Sequence, residues 1–308
     1  MALTKIKGYL LAALAAAAYG TNPIFAVPLY DEGMNPTSVL LFRYVLSVPI
    51  VAIIMACRHI SVKLRREEIG PVAILGIFMS LSSLGLFASY EYLNAGVAST
   101  LLFVYPIMVA VMMIFFFHEK FKLTIALCLL IMSAGLLLLM KPQGGDTISL
   151  TGVLLVLLSS LTYALYIVMV NVSKTIRAIP TTKLLFYTLV WGCILFISMI
   201  LVKDPLTLPS NGWNWWNLLA LAVMPTVLSL FCTTRAIQLI GSTPTAILGA
   251  LEPVTAVALS WLILGQTVTA REMTGGFLII LATSIVVGDN GVKKAILHIK
   301  KMFPKRIK

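Results

Sequence analysis

The sequence predicts an all-α integral membrane protein with ten transmembrane helices, arranged as two inverted five-helix repeats. Three observations lead there: an apolar composition, apolar stretches of membrane-spanning length along the whole chain, and a match between the two halves at a nearly constant offset. Of the 308 residues, 60% are hydrophobic and 11% charged, and the mean hydropathy is +1.00. A soluble domain would be about a quarter charged. Apolar runs of about 20 residues match the thickness of a hydrocarbon core. Lipid offers no partners to backbone groups, so such runs must be helical; outer-membrane strands would alternate.

The spans fall at 8–29, 37–57, 70–93, 97–117 and 123–140 in the first half, and at 150–173, 184–202, 215–237, 243–264 and 273–287 in the second. Linkers are short and leave no room for a soluble domain. Lys5 and Lys7 before an Ala/Leu run resemble a signal peptide, but the apolar pattern continues to Leu29, too far for a signal h-region, and reads as the first span.

The net charge of +12 invites a nucleic-acid reading, but the basic residues are spread over loops and the tail. One set of loops holds 18 of them, from Lys5 and Lys7 through Arg58, Lys120 and Lys174 to seven after Val292; the opposite set holds Lys141, Lys203 and Arg271. This asymmetry places both termini in the cytoplasm and the loops at 31–36 and 142–149 outside a cell (inner or plasma) membrane. Residues 291–308 form a basic tail: Val292, Ile296, Ile299 and Phe303 recur at helical spacing between lysines, which suits a surface helix on the inner leaflet, or equally a solvated tail. Trp213, Trp215 and Trp216 mark the outer belt before the eighth span. Cys57, Cys128, Cys193 and Cys232 show neither metal nor redox spacing, and no cofactor motif occurs.

The halves, 1–145 and 146–290, correspond. Pro106 and Pro253 are 147 apart, as are Glu119 and Gln266; Leu40-Leu41-Phe42-Arg43 matches Leu184-Leu185-Phe186-Tyr187 at 144, and Tyr19 then meets Tyr163. Five spans per half invert the second copy, with the first span then paired with the sixth and the fourth with the ninth. Inverted repeats bind solutes near the midplane, where broken helices face each other.

Further motifs carry a family resemblance. They are Leu41-Phe42-Arg43-Tyr44, Leu93-Asn94-Ala95-Gly96-Val97-Ala98 leading to Tyr105-Pro106, Phe117-His118-Glu119, Ala246-Ile247-Leu248-Gly249-Ala250-Leu251-Glu252-Pro253, and Leu264-Gly265-Gln266. With these the chain resembles the EamA-type transporters of the drug/metabolite transporter (DMT) superfamily over essentially its whole length. The resemblance implies a central cavity between the repeats and export or exchange of a small metabolite, an amino acid or related compound, by alternating access. Two departures stand out: the second repeat carries Gln266 where the family has Glu, and Pro106 follows Tyr105 where Pro253 follows Glu252, so the cavity is expected to be asymmetric.

Ionisable groups inside lipid cost about 2.5–3.5 kcal/mol at a helix centre and need an interior partner or a cavity. Four qualify: Arg43, Glu91, Arg235 and Glu252. Glu252 stands beside Pro253, which removes the bond to the Gly249 carbonyl; a carboxyl withdrawn from water there suits substrate or proton binding, or else packs as a protonated acid. Arg43 and Glu91 overlap in depth and form a candidate outer gate, although Glu91 fits snorkelling to the interface better. Arg235 reads as snorkelling. Tyr19, Tyr105, Tyr163 and Tyr166, with Asn22 a turn beyond Tyr19, offer hydroxyls and ring faces to a cavity, or bond between helices. Pro106, Pro253 and Gly249 are the helix kinks. The expected partners are a small-molecule substrate, protons and the bilayer. A non-catalytic membrane scaffold is the runner-up, and a membrane-embedded enzyme comes third, since no nucleophile–base pair or metal set shares a depth.

Overall fold

In the computed structural model the described residues are 2–89, 92–93, 98, 101–120, 122–139, 149–202, 205–264 and 269–287, and all their regular structure is helical. Eight helical runs are long and apolar enough to cross a membrane: Leu3–Asp31, Pro36–Cys57, Arg66–Ser89, Leu150–Val172, Thr181–Val202, Gly212–Ile240, Ser242–Ile263 and Ala270–Val287. Two shorter apolar helices, Tyr105–Phe117 and Leu123–Leu139, fall where the sequence places its fourth and fifth spans. The chain is a multi-pass membrane protein. Glu91, Gln266 and the basic tail lie outside the described residues, as does the loop at 142–148.

The helices are α1 (Ala2–Tyr19), α2 (Asn22–Asp31), α3 (Pro36–Cys57), α4 (Arg66–Ser89), α5 (Tyr105–Phe117), α6 (Leu123–Leu139), α7 (Leu150–Val172), α8 (Lys174–Ala178), α9 (Thr181–Val202), α10 (Gly212–Leu221), α11 (Ser229–Ile240), α12 (Ser242–Gly249), α13 (Leu251–Leu264) and α14 (Ala270–Val287). A π-helical turn, Ala222–Leu228, joins α10 to α11. Local chemistry sets several starts. The Asn35 side chain accepts from the Ser38 amide at 2.8 Å with Pro36 opening α3, and Asn211 accepts from Asn214 at 2.9 Å to open α10. Thr269 and Glu272 bond each other's backbone amides reciprocally at α14, a capping box that accounts for a buried glutamate.

Three breaks differ from the unbroken spans that hydropathy predicts. The first span stops at Tyr19 and restarts at Asn22. The eighth bulges into the π turn, which contains Pro225, and begins at Gly212, so the tryptophans lie within its helix rather than before it. The fourth breaks just before Pro106: the chain turns at 103–104 and Pro106 is the second residue of α5, where its missing amide costs nothing. Near Pro253 the helix parts at Ala250, between α12 and α13, as expected for a proline-opened backbone.

Packing is dominated by α6 on α14, α4 on α7, α1 on α11, and α9 on both α3 and α4. Small residues let these backbones approach, since lipid gives helices no hydrophobic drive to associate. Ala12, Ala15 and Ala16 are buried, and the Ala15 carbonyl accepts from Ser229 of α11 at 2.9 Å. A Cβ at Gly135 would stand 2.8 Å from the Gly275 carbonyl oxygen, and one at Gly275 would stand 2.6 Å from that of Gly135. Helices α3 and α9 run antiparallel. The start of α3 bonds the chain just beyond α9, through Asn35 N–H to Thr207 Oγ1 at 3.1 Å and Thr207 N–H to Ser38 Oγ at 2.9 Å. The chain after α3 meets the first turns of α9: Lys183 donates to the Lys63 carbonyl and lies 3.9 Å from Glu68, and the Tyr187 hydroxyl donates to the Val62 carbonyl at 2.5 Å.

Candidate functional site

The breaks converge. Arg43, 3% exposed on α3, donates from Nε to the Thr226 hydroxyl, from Nη1 to Asn22 Oδ1 at 3.3 Å, and from Nη2 to the Pro225 carbonyl at 3.2 Å. The guanidinium carbon sits 5.7 Å from the centre of the Tyr19 ring, within cation–π range. The Thr226 hydroxyl in turn donates to the Leu221 carbonyl at 2.7 Å. The guanidinium thus joins α1, α2 and the π turn, and its partners are neutral acceptors exposed by irregular backbone, the arrangement that makes a buried cation tolerable in lipid.

Tyr19, Tyr105, Tyr163 and Glu252 line two adjoining cavities of about 20 Å³ each, enough for about one water apiece. One is completed by Met79, Ser82, Ser83, Leu86 and Leu102; the other includes Ser229, Thr233, Thr245 and Gly249. Tyr105 is buried, donates to the Ala246 carbonyl at 3.2 Å, and occupies the space a side chain at Gly249 would need. Its ring meets Tyr163 edge-on at 4.8 Å, and Tyr163 stacks on Tyr166 at 6.2 Å with 7° between planes. Glu252 is half-buried and lines both cavities. Gly20, at the α1–α2 break, lies against the Glu252 carbonyl; a Cβ there would stand 2.7 Å from that oxygen.

Of the residues singled out from sequence, Tyr19, Tyr105, Tyr163 and Glu252 meet around one space. Asn22 and Arg43 adjoin it behind Tyr19. Tyr166 bonds Thr234 at 2.9 Å on the far side of Tyr163. Glu119 is held at the other end of α5 by Thr243 at 3.1 Å, and Arg235 is exposed and donates to Gln238 at 3.0 Å. The Arg43–Glu91 gate falls on an undescribed residue.

Sequence reasoning missed Pro225, Thr226 and an exposed clasp around Glu32. The Glu32 carboxylate accepts from Ser210 at 2.6 Å, from Asn211 at 3.0 and 3.2 Å, and from Asn214 at 2.6 Å. Ser210, then Asn214 and Asn211, hold its pKa below the ordinary 4.5. A depressed carboxyl stabilises the fold above its ordinary pKa and loses that contribution as pH falls through the depressed value. Glu32→Gln should therefore lower the thermal midpoint near neutral pH. Below pH 4.5 the wild-type midpoint should fall towards that of the variant. Equal midpoints at both pH values would show that the clasp contributes nothing.

Known proteins agree with this architecture. The EamA-like transporter family profile matches twice, at residues 6–141 and 150–288. "Uncharacterized transporter YdfC" of Bacillus subtilis (strain 168) is 25% identical over 283 residues, covering 88% of this chain and 85% of that one. An "Uncharacterized transporter" of Clostridium kluyveri is 24% identical over 300 residues, 94% and 95% of the two chains. A crystal structure at 14% identity superposes with a TM-score of 0.75 over 92% of this chain and 98% of its own, a likeness of fold. With both halves matched, the chain belongs to the EamA-like transporter family of the DMT superfamily and serves a small-molecule substrate.

Proposed function

We propose that the chain is a secondary transporter moving a small zwitterionic metabolite, an amino acid or related compound, by alternating access through the space between Tyr19, Tyr105, Tyr163 and Glu252, in efflux or exchange. The observation that carries this reading is the convergence of three ring faces and one carboxyl on a helix break, with a guanidinium adjoining. A carboxyl and tyrosine rings suit an ammonium, and the Arg43 fork suits a carboxylate. Cavities of about 20 Å³ are too small for such a solute, which is consistent with an occluded state.

The reading includes ten spans in two inverted repeats, 1–145 and 146–290. Three observations support it. The family profile matches each half once. The strong helix contacts map onto one another when halves are exchanged: α4 on α7 becomes α11 on α1, while α3 on α9 and α6 on α14 map onto themselves. The equivalent helices α3 and α9 are antiparallel, as inversion requires.

A thermal-shift screen of the purified protein against metabolites, followed by flux in proteoliposomes, tests the substrate class. Zwitterionic amino acids should stabilise the protein by mass action and exchange across the membrane, and stabilisation by uncharged solutes alone would overturn the assignment. Both termini are cytoplasmic in this reading. Single cysteines at Gly33 or Thr207 should react with an impermeant thiol reagent from outside only, and one at Ser61 from inside only. The reverse pattern would invert the topology.

A further inference from the structure

We propose that α2 and α10 form one hinged lid over the central site, seated on α4 through Tyr30 and Phe87 and pinned at both hinges by Arg43.

The two spans concerned are broken at one level. In the first, α1 ends at Tyr19 and α2 begins at Asn22; in the eighth, α10 ends at Leu221 and passes into the π turn. Below the breaks α1 packs on α11, and above them α2 packs on α10. The upper pair has a small core apart from the main one. Ala26 and Leu29 of α2 join Leu218 and Leu221 of α10, with Met34, in an apolar cluster that the outer end of α3 flanks through Val39 and through Phe42, whose ring meets Trp215 edge-on at 5.6 Å. A segment with its own small core moves as a unit rather than unravelling. The Glu32 clasp ties the tips of the pair together.

The lid also has a seat. The Tyr30 ring meets Phe87 of α4 edge-on, with centres 6.2 Å apart. Phe87 lies one helical turn beyond Ser83, which lines the cavity, so the aromatic pair stands between that cavity and the clasped end of the molecule. Each hinge has the right chemistry. The α1–α2 break contains Gly20, and a π turn returns to α-helix by shifting one hydrogen-bond register. Arg43 bonds Asn22 at one hinge and Pro225 and Thr226 at the other. An anionic group that draws the guanidinium away would free both hinges together. This gating rests on the reading of the Glu252 cavity as the transport site, but its test needs no substrate, so the two can fail separately.

The test measures distances between spin labels in the full-length protein, with Cys57 and Cys193 replaced by serine. One pair of labels, at Asp31 and Ala88, spans lid and seat; another, at Asp31 and Trp213, lies within the lid. Tyr30→Ala, or independently Phe87→Leu, should lengthen the first distance in part of the population by about 5 Å or more, the scale of a helical turn, and leave the second unchanged. An unchanged first distance in both variants would overturn the lid. So would equal lengthening of both distances, which would mean that α2 leaves α10 instead of moving with it.

Discussion

Glu252→Gln is expected to abolish the dependence of transport on a pH gradient while leaving the protein folded. The variant keeps the shape of the side chain and its capacity for hydrogen bonds but cannot release a proton. The wild-type carboxyl opens on both cavities at the α12–α13 break, where the buried Tyr105 lines them with it. At this depth a carboxylate and a carboxylic acid differ by several kcal/mol of solvation, so binding and protonation are expected to be coupled. Flux in proteoliposomes with and without an imposed pH gradient reads the outcome. Wild-type flux and pH response in the Gln variant would reduce Glu252 to a packing residue, and Glu252→Ala would then lower the thermal midpoint and little else.

Arg43→Lys is the second large effect expected. Lysine keeps the charge but not the planar fork that reaches Thr226, Asn22 and the Pro225 carbonyl at once. Loss of even one hydrogen bond to a charged donor, worth about 1.5–3 kcal/mol, shifts the balance between pinned and released hinges roughly 10- to 150-fold, and a site that no longer closes fully should show a fall in transport rate. Thr226→Val removes one acceptor and should reproduce part of that fall, whereas Arg235→Lys, at an exposed helix face, should leave the rate unchanged. A wild-type rate for Arg43→Lys would show that only the charge at this position matters.

The spans were legible because lipid forces a simple rule: about twenty apolar residues, helical throughout. The breaks were less so. Gly20 and Thr21 are only two residues within a long apolar run, and they do not lower its hydropathy enough to divide it. Pro253 announced its break because a proline beside a mid-span glutamate is conspicuous. Pro225, between Met224 and Thr226, has no charged neighbour to distinguish it from the apolar run around it. The tyrosine–glutamate convergence followed from depth alone, since residues at one level of a bundle tend to meet. The partners of Arg43 did not, because the π turn turns Thr226 and the Pro225 carbonyl towards α3 by a shift that a regular 3.6-residue wheel does not describe. The Glu32 clasp joins residues about 180 apart in sequence across two loops, which hydropathy does not register.

The long separation between Arg43 and its acceptors bears on how the protein is made. Thr226 follows Arg43 by 183 residues and Pro225 by 182. At about 5–20 residues per second, a ribosome needs roughly ten to forty seconds to cover that distance. Through that interval the second span enters the bilayer with a cation whose partners among the described residues made before it are Asn22 and the Tyr19 ring. The nascent first half must hold that charge at the translocon or the headgroup level until the eighth span arrives to take it.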